Sequence, residues 1–113
     1  MSEKTIFKRI IDRELPADIV YEDETCMAFK DINPAAPVHI LLVPKKEITG
    51  ADKLTEEDGP MLAHMFIVAA KIAAEQGLKD GYRMITNCGK AAGQTVFHLH
   101  FHILGGGKRM PWA

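Results

Sequence analysis

The chain has 113 residues, the length of one domain, and its 47% hydrophobic and 26% charged residues are the balance of a sequence that folds around a packed core. Fourteen Lys and Arg against fifteen Asp and Glu leave a net charge of -1, which supplies no basic field to gather DNA or RNA. A small anion is still a possible ligand, because local backbone amides and a few side chains hold one at any net charge.

The opening segment carries Glu3, Lys4, Lys8 and Arg9, and so lacks the apolar run of about 7–15 residues that marks a secretory signal. From Thr5 to Arg13, Ile6, Phe7, Ile10 and Ile11 recur at helical spacing and the pattern stops before Pro16, which predicts a short amphipathic helix. Ile19 to Tyr21 and Thr25 to Phe29 are β-prone runs joined by Glu22-Asp23-Glu24, a hairpin with an acidic turn. Asn33-Pro34 ends the second run, and Val38 to Val43 is a nearly continuous apolar strand interrupted only by His39, the expected sheet centre.

Thr55 to Asp58 has the form of a capping box, and Pro60 suits the first turn of a helix whose apolar face runs from Met61 to Ala73 and closes at Gly77. Tyr82 to Thr86 reads as a strand, Asn87 to Gln94 as a glycine-bearing loop, and Val96 to Leu104 as a last strand. The sum is an α+β domain over residues 1–113: an antiparallel sheet of about five strands, one long helix, a short N-terminal helix and a tail over residues 105–113 bearing Trp112. The longest apolar stretch, Met65 to Ala70, is far short of the ~20 residues that span a bilayer, and Cys26 and Cys88 form no CxxC pair. A soluble cytoplasmic protein with reduced thiols and no membrane partner is expected.

The chemistry concentrates in His98-Leu99-His100-Phe101-His102. Side chains alternate along a strand, so the three imidazoles share one face, about 6.6 Å apart per pair, while Leu99, Phe101 and Ile103 face the core. A flat strand puts the outer rings about 13 Å apart, so a zinc site would need two of them together with His39 or an acidic residue. The alternative use is a histidine nucleophile between two others, since imidazole titrates near neutrality and attacks phosphorus without strong activation. The loop Asn87 to Thr95, with Gly89 and Gly93, leads straight into this segment and is a candidate phosphate cradle. His64, inside the long helix, belongs to none of this and is read as a solvated or locally satisfied residue.

His98 to Leu104 resembles the His-φ-His-φ-His-φ-φ signature of the histidine triad nucleotide-binding proteins. The segments Phe29 to Pro34, Ala36 to His39, Val43 to Lys46, Gly81 to Met84 and Gly93 to Phe97 are similar to the Hint branch of that family. The resemblance runs from Thr5 to Trp112. It implies a purine nucleoside phosphoramidate hydrolase, a homodimer whose two sheets join, with no metal or other cofactor. It makes His100 the nucleophile on the α-phosphate, His102 its phosphate-contacting neighbour, His98 the residue that orients the ring, and His39 the completion of the cluster.

Thr95 stands where most of these proteins carry serine, near the leaving group. The resemblance further implies Asn87 near the phosphate or ribose, Gly93 and Gln94 as nucleotide-binding residues, and Asp31 on the ribose hydroxyls. Phe7, Ile10, Leu15, Phe29 and Ile32 would form the base pocket, with Trp112 reaching toward the partner subunit's site. The residues alone leave two other readings open: a nucleotide-binding interaction module with incidental turnover, and a zinc hydrolase.

Overall fold

The computed structural model describes residues 3–107; the tail that holds Trp112 lies outside the described residues. Five strands form one antiparallel sheet in the order β1-β2-β3-β5-β4: β1 Ile19–Glu22, β2 Cys26–Lys30, β3 Val38–Pro44, β4 Tyr82–Ile85 and β5 Phe101–Gly105. The short helix α1 spans Ile6–Ile11 and the long helix α2 spans Gly59–Glu75. The α+β architecture expected from the sequence is the one observed.

Side-chain alternation divides the core into two layers. Ile40 and Leu42 of β3, with Leu99, Phe101 and Ile103, pack against Met65, Val68, Ala69 and Ile72 of α2. Leu41 and Val43 point the other way and meet Phe7 and Ile10 of α1 together with Met27 and Phe29. The histidines alternate with the first set, so they emerge on the α1 face, where among the described residues the six-residue α1 is the helix that covers the sheet.

Each helix has a chemical start and stop. Thr5 caps α1 by accepting the Lys8 amide on its hydroxyl at 3.1 Å. Thr55 and Asp58 form the expected capping box around a single 3-10 turn, Glu56–Asp58, and α2 begins directly after it with Pro60 in its first turn. Helix α2 ends on Gly77 at φ 77, with the Gly77 amide donating to Ala74 and the Leu78 amide to Ala73. That paired reversal needs a left-handed residue, which glycine supplies without strain.

The last strand is shorter than the sequence predicts. Val96 to His100 lies outside the ladder, and pairing begins at Phe101, opposite Leu42 of β3. In the same register Leu99 falls opposite Pro44, which has no amide proton to donate across the ladder. Here the chain departs: the Leu99 amide donates to the Ile48 carbonyl at 2.6 Å, and the Thr86 hydroxyl donates to the His100 carbonyl at 2.7 Å.

Leu42 is fully buried at the centre of the α2 layer. Leu42→Ala removes its contacts and leaves a cavity, so denaturant unfolding is expected to show a loss of about 2–5 kcal/mol. A loss below about 1 kcal/mol would contradict this packing.

Candidate active site

His98 and His100 project from the irregular stretch before β5, His102 from β5 itself and His39 from β3. Three of these rings are buried and His102 is half-buried. A cavity of about 450 Å³ opens beside them. Phe7, Ile10, Leu15, Phe29, Asp31, Ile32, Thr95, His100 and His102 all line it, and so do Leu41 and Val96, which the sequence reading did not single out. Ile32 stands at the rim with 91% of its surface exposed, an unfavourable position for an isoleucine unless something apolar covers it.

Hydrogen-bond partners fix the state of each ring, because a carbonyl oxygen accepts and a main-chain amide donates. His98 Nε2 lies 2.8 Å from the Pro44 carbonyl, so it carries that ring's proton. His100 Nδ1 lies 2.7 Å from the His98 carbonyl and must donate to it. The neutral His100 ring then has its lone pair on Nε2. Phe7 packs edge-on against His100 at a centroid distance of 4.8 Å and holds the ring from the α1 side. Orientation of His100 thus comes from the main chain of His98 and from Phe7; the His98 ring, expected to do it, is turned to Pro44 instead.

Burial lowers the pKa of all four imidazoles. For His98 and His100 the bonded carbonyls oppose it, and for His39 the nearby Asp31 does. His102 is pushed down to about 4, by burial first and then by His100 and His39. All four rings are therefore neutral at pH 7, which suits a nucleophile and not a cluster of fixed cations.

The loop residues divide by role. The Gln94 side chain is buried and wholly committed: its Oε1 accepts the Gly89 amide, and its Nε2 donates to the carbonyls of Thr49 and Val96. Gln94 therefore shapes the loop and has no amide left for a phosphate, contrary to the expectation that it contacts nucleotide. Gly93 ends the 3-10 turn Lys90–Ala92 at φ 91. Asn87 is half-buried where β4 runs into the loop, and neither Asn87 nor Gly93 is part of the cavity wall.

Two clusters among the described residues have donor sets that could suit a metal ion. In the first, Asp31 Oδ2 lies 3.4 Å and His102 Nδ1 2.8 Å from His39 Nε2. The Ala35 amide donates to His39 Nδ1 at 2.9 Å, so a neutral His39 keeps its proton on Nε2, the atom that would have to bind the ion. In the second, Asp23, Cys26 and His64, the Asp23 carboxylate already accepts from two amides and Tyr21 and faces His64 Nε2 at 2.6 Å. Burial pushes the Cys26 thiol up to about 12, away from the thiolate a metal requires. Neither set fits zinc well. The second cluster also gives His64 its explanation as a tie between α2 and the β1–β2 turn.

A five-stranded antiparallel sheet carrying a neutral, aligned imidazole cluster above an apolar cavity defines the class, and the comparisons agree. The HIT domain family model matches residues 12–109, and the chain belongs to the HIT family. An uncharacterized HIT-like protein of Synechococcus elongatus is 53% identical over 112 residues, covering 99% of this chain and 97% of that one. The purine nucleoside phosphoramidase of Escherichia coli is 49% identical over 107 residues, 94% of this chain and 90% of that one. Among solved structures, a HIT family hydrolase from Clostridium thermocellum aligns with a TM-score of 0.93 at 50% identity, covering 99% of this chain and 98% of the other. A histidine triad protein from Clostridium difficile gives 0.92 at 42% identity over the whole of both chains.

The lowered pKa values carry a stability consequence. A group whose folded pKa lies below its unfolded value, about 6.5 for histidine, stabilises the fold above that value and stops doing so as pH falls through the folded one. The urea midpoint of the wild type is expected to drop between pH 6.5 and 4, and His102→Asn to flatten that drop. A constant offset between the two curves across this window would contradict the assignment to His102.

Proposed function

We propose that the protein hydrolyses purine nucleoside 5′-phosphoramidates, cleaving the P–N bond at the α-phosphate through a nucleotidyl intermediate on His100. The observation that carries this reading is the bare Nε2 of a neutral His100, held by the His98 carbonyl at the wall of the 450 Å³ cavity. The name of the Escherichia coli relative supports the substrate class.

In this reading the purine lies among Phe7, Ile10, Leu15, Phe29 and Ile32, all on the cavity wall, and Asp31 accepts the ribose hydroxyls. His100 Nε2 bonds to phosphorus as the P–N bond breaks, and the electron pair leaves with the amine, which takes up a proton relayed from solvent through the Thr95 hydroxyl. The phosphorylated ring is cationic and keeps its Nδ1 proton on the His98 carbonyl, which stabilises it. Water then attacks phosphorus and gives its proton to solvent, the P–Nε2 electron pair returns to the ring, and the nucleoside monophosphate departs. Asn87 is taken near the phosphate or ribose and Gly93 near the phosphate, outside the cavity wall itself; Gln94 holds the loop, and no metal or other cofactor takes part.

We further read the chain as a cytoplasmic homodimer whose sheets join; Trp112, expected toward the partner's site, lies outside the described residues. An edge strand at β4 and the exposed Phe66 and Ile67 on α2 support a second copy.

Purified protein with excess chelator is expected to hydrolyse adenosine 5′-phosphoramidate, and His100→Ala to lose about 10³-fold or more in kcat/KM. Wild-type activity abolished by chelation would favour a zinc hydrolase. Nucleotide binding without turnover in either protein would favour an interaction module. Thr95→Val keeps the shape and removes the hydroxyl, so kcat should fall about 10–100-fold while Thr95→Ser stays near wild type. Full activity of Thr95→Val would remove Thr95 from the leaving-group step.

A further inference from the structure

The ring positions of His39 and His102 do not by themselves say where the protons are. His39 Nε2 and His102 Nδ1 lie 2.8 Å apart, and either could donate. If His39 donates, His102 accepts at Nδ1 and keeps its own proton on Nε2. If His102 donates from Nδ1, its Nε2 is bare and the His39 proton moves to Nδ1.

The choice is made behind His39, away from the cavity. The Ala35 amide lies 2.9 Å from His39 Nδ1, and an amide N–H only donates. The second arrangement would set N–H against N–H where His39 is 8% exposed and water cannot relieve it. Asp31 Oδ2, 3.4 Å from His39 Nε2, adds an acceptor on the side that favours a proton there. Both rings are neutral, so each has one proton to place.

We propose that the main-chain amide of Ala35, acting through His39, fixes the His102 proton on Nε2 and makes this ring a hydrogen-bond donor. The two cavity-lining histidines then have opposite polarity at Nε2, with ring centroids 5.1 Å apart. His100 offers an electron pair, and His102 offers an N–H to a phosphoryl oxygen. Ala35 is a positioning residue whose side chain is irrelevant to the task. Its segment is stiffened by Pro34 and Pro37 and by the Asn33 amide donating to Asp31 Oδ1 at 2.8 Å. The use of the donor rests on the proposed phosphoramidate chemistry; the placement of the proton is a property of the free protein.

The test is nitrogen-15 NMR of the imidazoles at pH 7, paired with turnover of adenosine 5′-phosphoramidate. Wild type is expected to show His39 and His102 both protonated on Nε2. Ala35→Pro deletes the amide proton at an exposed position and should give mixed tautomers at both rings, with kcat down about tenfold and KM within about twofold. His39→Gln carries an amide that can donate to His102 without help from Ala35, and should keep the His102 tautomer; His39→Leu should lose it. These two variants decide the matter if Ala35→Pro does not fold. His102 protonated on Nδ1 in the wild type, or a folded Ala35→Pro with unchanged spectra, would overturn the proposal. The expected spectra with no hydrolysis by the wild type would uphold the proton placement and reject the phosphoramidate reading.

Discussion

The hydrogen bond from His100 Nδ1 to the His98 carbonyl is the constraint on which the site depends. It joins two residues only two positions apart, and it can form because the segment has left the sheet. Within a regular antiparallel ladder, carbonyls are taken up by the neighbouring strand. Even-numbered β5 carbonyls face β4 in this ladder, and the His98 carbonyl is free to hold a side chain because β4 stops pairing at Ile85, opposite His102.

Pairing of β5 with β3 also starts late, at Phe101, just past the position opposite Pro44. A proline at the end of β3 withholds one donor, and the chain opposite is held by other means: the Leu99 amide on Ile48, the His98 ring on the Pro44 carbonyl, and the Thr86 hydroxyl on the His100 carbonyl. The side-chain alternation survives the departure, so Leu99 stays in the α2 layer while His98 and His100 face α1. A short α1 over that face leaves the space that a longer helix would fill, and the cavity lies there. Burial then keeps the rings neutral.

Periodicity was enough to read α2, its capping box and its closure at Gly77, because these are set by neighbours in sequence. The alternation of His98, His100 and His102 with Leu99, Phe101 and Ile103 was legible for the same reason. The late start of β5 was not, since the residue facing it there is a proline more than fifty residues away that meets the strand only in the folded sheet. Gln94 reads as a polar loop residue in sequence; only the folded positions of Gly89, Thr49 and Val96 show that its amide is fully used. The tie between His64 and Asp23 likewise depends on chain segments that tertiary structure brings together, whereas the contact of Ala35 with His39 spans only four residues. Ala35 leaves no sequence signal at all, because its contribution is a backbone amide.

The central claim is that His100 Nε2 forms the covalent bond to phosphorus. It is tested most directly by mixing the protein with a nucleoside phosphoramidate, quenching in alkali within one turnover, and mapping the nucleotidyl mass by peptide sequencing. The account predicts the added mass on His100 alone. The mass on another residue, or turnover with no covalent species at any time point, would contradict it.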